Sequence, residues 1–400
     1  MTGIVIIGGG QAGAQNAACL RQEGYSEGIT LFSEEQYIPY QRPPLSKDYL
    51  AGKHNIDRLF LRPESFYQEK NIDLRLGVRV VGINPEQKNI KTSSGEIVAY
   101  EKLLIATGSR PRLLRVPGNR LAGIHYLRQL NDVNIIKTEL KDRSNICIVG
   151  GGYIGLEVAA VLISAGHDVT IVESESRILK RVTTPQMSSL FHNLHISKGV
   201  KIYRNSTVLG FSGENHVEYV NCGDLNIAAD LVIIGIGIIP NTELAQESRL
   251  ECHNGIIVDD RCQTSDTNIF AAGDNTNHPN AILNRRLRLE SVPNAMEQAR
   301  VSAKNMLGQD QTYNSLPWFW SNQYDIRLQM LGFSVDGDSQ VVRGNFEKAK
   351  FAIFYLNKDK VVAVDAVNSP AEFMIGKKLY GKTVDRMNLG NLNFNLENLI

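Results

Sequence analysis

The chain has 400 residues, 42% of them hydrophobic and 21% charged, which suits two or three globular domains with a large core. Its 43 basic and 42 acidic residues leave a formal charge of +1, so no global field draws it to nucleic acid or anionic membrane, and a charged partner must be met by a local patch. No apolar run approaches the roughly 18 residues of a membrane span, and the first predicted strand follows Met1-Thr2-Gly3 with no basic leader, so a cytoplasmic location is expected.

Ile4-Val5-Ile6-Ile7 predicts a buried strand, and Gly8-Gly9-Gly10-Gln11-Ala12-Gly13 opens an Ala- and Leu-rich helix. This is the dinucleotide fingerprint at a strand-to-helix turn. Gly8 permits the bend, Gly10 lets backbone approach a pyrophosphate, and Gly13 lets helix and strand pack closely. The pyrophosphate meets the positive end of the helix. Ile29-Thr30-Leu31-Phe32 reads as the next strand, after which Glu34 is placed to accept hydrogen bonds from the adenosine ribose. A strand over 101–105 then ends in Ala106-Thr107-Gly108. The series recurs with Ile146-Cys147-Ile148-Val149, Gly150-Gly151-Gly152-Tyr153-Ile154-Gly155, Val169-Thr170-Ile171-Val172, Glu173, and a strand over 230–234 ending in Gly235-Ile236-Gly237. Whole domains are repeated, and one chain is expected to hold two nucleotides.

A further strand ending in Gly273-Asp274 and a helix over 294–300 belong back in the first domain, so the second is an insertion, with crossings near 108–115 and 235–240. From Leu316 onward, Trp318-Phe319-Trp320, Lys350-Phe351-Ala352-Ile353-Phe354-Tyr355 and Val361-Val362-Ala363-Val364-Asp365 read as antiparallel strands. The expected fold is α/β: two doubly wound dinucleotide-binding domains, the second inserted in the first, plus a C-terminal α+β domain. The boundaries fall at 1–111 and 237–315, at 112–236, and at 316–400. Cys19, Cys147, Cys222, Cys252 and Cys262 have no CxxC spacing, so no disulfide framework, zinc site or cluster is indicated. His192 and His195 stand at helical i, i+3 spacing with no third ligand, so no metal is expected there.

The order of these motifs resembles the glutathione-reductase-like class of flavoproteins over essentially the whole chain. Within that class, Pro39-Tyr40-Gln41-Arg42-Pro43-Pro44-Leu45-Ser46-Lys47, Glu290-Ser291-Val292-Pro293-Asn294-Ala295 and Pro317-Trp318-Phe319-Trp320-Ser321 resemble the ferredoxin reductases of oxygenase systems, the putidaredoxin and rubredoxin reductase kind. The resemblance implies that the first domain keeps FAD, with Gly8, Gly10, Ala12, Gly13, Glu34, Arg42, Lys47, Val80, Ala106, Thr107, Gly108, Arg128, Gly273, Asp274, Val292 and Trp320 around it. It implies that the inserted domain receives NADH at Gly150, Gly152, Tyr153, Ile154, Gly155, Glu157, Glu173, Gly235 and Gly237, with Glu290 and Pro43 shaping the nicotinamide side. Lys47 would favour the anionic reduced ring, Glu157 would reach the nicotinamide carboxamide, and Trp320 would lie by the flavin. Glu173 would bond the 2′-hydroxyl of NADH and repel the phosphate of NADPH, although Arg177 stands four residues on.

Residues 35–50 contain no cysteine, and Pro43-Pro44-Leu45-Ser46-Lys47 fills the slot where disulfide reductases carry thiols. No acid–base residue is then required. Hydride would pass from nicotinamide to flavin, and electrons would leave singly to an iron–sulfur ferredoxin, feeding a haem-thiolate monooxygenase or an aromatic-ring dioxygenase. An acidic ferredoxin would dock transiently on basic side chains, for which Arg285, Arg286, Arg288, Arg62 and Arg300 are candidates. The same scaffold leaves open a rubredoxin reductase, a monodehydroascorbate-type reductase, or an NADH-responsive binding protein resembling apoptosis-inducing factor.

Overall fold

The computed structural model describes residues 3–400; Met1 and Thr2, on which the leaderless start was read, lie outside the described residues. By its contacts the chain divides into two compact units, one of residues 3–41, 56–110 and 238–317, the other of 42–55, 111–237 and 318–400.

The first unit is built on a parallel sheet in the order Ile72–Leu76, Ile29–Ser33, Gly3–Ile7, Ile97–Ile105, Ile269–Ala271. Strands Gly3–Ile7 and Ile269–Ala271 read as continuous apolar runs because both faces are covered, whereas the edge strand Ile72–Leu76 alternates buried or half-buried apolar residues with exposed charged ones. Ile97–Ile105 shows the rule within a single strand. Its first half carries exposed residues where it pairs antiparallel with Asn89–Thr92, and its last three residues are all buried between Gly3–Ile7 and Ile269–Ala271. Helix Gln11–Gln22 packs on Val292–Met306 through alanines, with Asn16 Nδ2 donating to the Ala299 carbonyl at 3.1 Å and to Ser302 Oγ at 3.0 Å. The late segment therefore returns to the first nucleotide fold, as the Gly-Asp turn implied. Arg285–Leu287 is a strand, paired antiparallel with Thr276–Asn280.

The second unit holds a second parallel sheet, ordered Lys201–Tyr203, Asp168–Val172, Asn145–Val149, Leu231–Ile234, Ile124–Tyr126. It also holds a five-stranded antiparallel sheet, ordered Trp318–Gln323, Ile326–Gly332, Lys360–Val367, Lys350–Asn357, Ser339–Asn345. Helix Pro370–Leu379 lies close on that sheet because Gly376 has no side chain: a Cβ there would meet Val364 Cγ2 at 2.7 Å. Among the described residues, no helix is long and apolar enough to cross a membrane.

Candidate functional site

In the first unit the carboxyl ends of neighbouring parallel strands bring three turns to one patch, the usual ligand position in doubly wound sheets. Gly8 follows Gly3–Ile7 with φ +118°, and a Cβ there would lie 2.2 Å from the Ala106 carbonyl oxygen; one on Gly13 would lie 2.0 Å from that of Gly8. Gly10, the N-cap of Gln11–Gln22, has no atom within 4 Å of its would-be Cβ. Two glycines serve packing and the third leaves the helix start bare, the condition for a pyrophosphate to reach the first-turn amides.

The Ala106-Thr107-Gly108 turn is tied by Thr107 Oγ1 donating to the Asn241 carbonyl at 2.7 Å. Gly273 (φ +98°) donates its amide to Gln298 Oε1 at 2.8 Å and brings the Gly273-Asp274 turn against Ala12. Asp274 Oδ2 accepts from Ser109 Oγ at 2.9 Å, and Val292 begins a helix capped by Ser291. Beneath the patch, Asn275 Oδ1 and Gln298 Nε2 are buried without a partner among the described residues, polar capacity that a bound group or its water would satisfy. Glu34 is exposed and meets Arg79 at 3.3 Å, and buried Val80 follows that arginine. These residues fit a dinucleotide lying from the Gly8 turn toward Glu34.

The second unit repeats the device. Gly150 (φ +108°) would meet the Gly235 carbonyl oxygen at 2.5 Å, Gly155 would meet that of Gly150 at 2.3 Å, and Gly152 is open. Glu173 is already set as an acceptor: its Oε2 takes the Gly151 amide at 2.7 Å and its Oε1 takes the Glu175 amide at 2.8 Å. Arg177, which left the coenzyme open in sequence, donates to the carbonyls of Lys180, Thr183 and Thr184, while Lys180 pairs with Glu175 at 2.7 Å. Tyr153 and Ile154 open helix Tyr153–Ser164; Ile154 is exposed and the Tyr153 ring lies 5.1 Å from Phe319. Gly237 has φ +103°.

On the inner face of the same helix, Glu157 is buried and both of its oxygens accept hydrogen bonds. Its Oε2 accepts from Lys47 Nζ and from Ser46 Oγ, each at 2.6 Å, and its Oε1 accepts from Ser321 Oγ at 2.6 Å. Lys47 and Ser46 come from the short 3-10 turn Pro43–Ser46 and its C-cap; Ser321 comes from Trp318–Gln323. Sequence reasoning singled out Lys47 and Glu157 separately, but did not expect them to pair and missed both serines. A serine inside a recognisable segment carries no sign of which distant carboxylate it meets.

Trp320 alternates with Ser321 along the strand, and its ring lies 5.5 Å from that of Trp318, which carries Lys377 Nζ at 4.5 Å from its centre. Arg42 donates to the Arg128 carbonyl at 2.7 Å, and the Arg128 amide donates to Asp132 at 2.9 Å. The arginines proposed for docking are largely engaged within their own unit. Arg286 donates to the Val258 and Asn277 carbonyls, Arg288 pairs with Glu290, Arg300 pairs with Glu297, and Arg62 lies over the Phe66 ring at 5.6 Å; Arg285 is exposed on its strand. Burial pushes up all five thiols, Cys19, Cys147, Cys222, Cys252 and Cys262, so none is poised as a thiolate.

Residues 2–299 match the pyridine nucleotide-disulphide oxidoreductase family, and residues 318–400 match the reductase C-terminal family. The chain is 42% identical to putidaredoxin reductase CamA of Pseudomonas putida, over 94% of this chain and 91% of that one. It is 40% identical to the 5,5'-dehydrodivanillate O-demethylase ferredoxin reductase subunit of a Sphingobium species, over 99% and 97%. Its structure superposes on the reductase in a covalent putidaredoxin reductase–putidaredoxin complex with a TM-score of 0.95 at 40% identity, covering 100% and 98% of the two chains.

Proposed function

This chain belongs to the pyridine nucleotide-disulphide oxidoreductase family and carries its reductase C-terminal domain, and from that premise we propose an FAD-dependent NADH–ferredoxin reductase of an oxygenase system. The observation that carries the reading is the turn at 43–47. Where disulfide reductases present a thiol, Ser46 and Lys47 are bound to Glu157, and the five cysteines all lie elsewhere with raised pKa values. With no thiol relay, the electrons pass directly to a protein acceptor, an iron–sulfur ferredoxin. FAD, when bound, supplies the conversion of one hydride into two single electrons.

The chain's own residues bind and orient. Amides of the Gly8 turn and the Gly150 turn hold the two pyrophosphates, Asp274 takes a ribityl hydroxyl, and Glu157 offers Oε1 to the nicotinamide carboxamide. We assign NADH over NADPH because Glu173 stands preset as an acceptor after the second strand and Arg177 is engaged by the carbonyls of its own loop. FAD falls to residues 1–111 and 237–315, NADH to 112–236, and residues 316–400 form a C-terminal interface domain. The location is the cytoplasm, where NADH is available.

The test is NADH-driven cytochrome c reduction by the holoprotein with and without a small iron–sulfur protein. Turnover that depends on the added protein and prefers NADH supports the reading. Fast reduction of monodehydroascorbate without it would refute the reading, as would very slow turnover with redox-dependent dimerisation.

A further inference from the structure

We propose that the Glu157 carboxylate is aimed by a one-way chain of hydrogen bonds that starts at Tyr324 and runs through His195, Gln323 and Ser321, making Ser321 a positioning residue for the nicotinamide. The proposal rests on the reading of Glu157 as the group that meets the carboxamide.

Tyr324 occupies the turn between Trp318–Gln323 and Ile326–Gly332, with φ +53°. Its hydroxyl lies 3.0 Å from His195 Nδ1, His195 Nε2 lies 2.9 Å from Gln323 Oε1, Gln323 Nε2 lies 3.3 Å from Ser321 Oγ, and Ser321 Oγ lies 2.6 Å from Glu157 Oε1. His195, Gln323, Ser321 and Glu157 are all buried. Burial lowers the His195 pKa to about 4, so its ring is neutral and has one donor and one acceptor.

The directions follow from valence. Gln323 Oε1 has no proton, so His195 Nε2–H must donate to it, and His195 Nδ1 must accept from the Tyr324 hydroxyl. The Gln323 amide donates to Ser321, whose own proton is then directed to Glu157. A carboxylate has about four lone-pair sites. Two on Oε2 serve Lys47 and Ser46 and one on Oε1 serves Ser321, which leaves a single Oε1 site for an incoming amide N–H. The i, i+3 histidines on helix Pro185–Ser197 thus include one whose two nitrogens serve this chain.

The experiment uses the FAD-loaded protein and compares calorimetric affinities for NAD+ and for ADP-ribose, which lacks the nicotinamide. Ser321→Ala should weaken NAD+ about tenfold, the size of one hydrogen bond to a charged group, and leave ADP-ribose unchanged. Gln323→Met, which keeps the Ser321 hydroxyl but removes its donor, should weaken NAD+ about threefold with the same silence toward ADP-ribose. Equal weakening of both ligands, or no weakening of NAD+ by either variant, overturns the proposal. Glu157→Ala, which removes the acceptor, provides the control on the premise: if it binds NAD+ as the wild type does, the carboxamide reading fails and the proposal fails with it.

Discussion

Removing the cation from Glu157 should expose how strongly the buried site depends on it. Lys47 and Glu157 are 2.6 Å apart, with side chains only 16% and 5% exposed, so solvent screens the pair weakly. Lys47→Met keeps most of the stem but strands a buried carboxylate on two serine hydroxyls. Breaking a buried pair from one side costs about 3–5 kcal/mol in general; two remaining donors and the partial access of Lys47 reduce this to about 2–3 kcal/mol. Glu157→Gln alone should cost less, because an amide oxygen still accepts from Ser46 or Ser321 while Lys47 can turn toward solvent. The double variant Lys47→Met, Glu157→Gln should recover at least about 1 kcal/mol of the summed losses. Urea unfolding of the four FAD-loaded proteins, with equal m-values as the check on two-state behaviour, measures the cycle. If the two losses simply add, the pair is not coupled and the account of the site is wrong.

Three further outcomes are expected. Gly13→Ala should lose FAD during purification or fail to fold, because its Cβ falls 2.0 Å from a carbonyl oxygen, whereas Gly10→Ala, in open space, should fold and bind dinucleotide more weakly; similar behaviour of the two would refute the division of roles. Glu173→Ala should lower kcat/KM for NADH about tenfold or more and NADPH much less, since the Gly151 and Glu175 amides lose their acceptor together with the ribose; steady-state kinetics with both coenzymes read this out, and an unchanged ratio would contradict it. Burial lowers His278 to about 4, so the unfolded chain takes up this proton first as pH falls from about 6.5, and the associated stability is intact above that value and lost toward about 4. His278→Asn should therefore flatten the acid limb of unfolding midpoints relative to the wild type, and an identical slope would show that the ring titrates normally.

Much of the fold was legible because the decisive signals are local. The clash of Gly13 with Gly8 arises within six residues, and a helix that must start bare after a buried strand leaves its pattern in one short string. The Arg285 to Arg288 run shows a different limit: as a string it is the densest basic cluster after the Gly-Asp turn, and in the fold Arg286 reaches Val258 and Asn277 while Arg288 reaches Asn254 and Glu290. Charge counted along a chain records how many cations are present and not what they face. Arg177 is the same case with the opposite value, since its three carbonyl partners strengthen the NADH assignment that its presence had weakened.

The sequence by itself determined that two nucleotide turns exist and that no thiol follows the first ribose strand, because each depends on residues adjacent in the chain. Tertiary structure alone decided what surrounds Glu157. Its partners Lys47, Ser46 and Ser321 stand 110, 111 and 164 residues away, and only the packing of a 3-10 turn and a C-terminal strand against one helix brings these three hydrogen-bond donors to a single carboxylate.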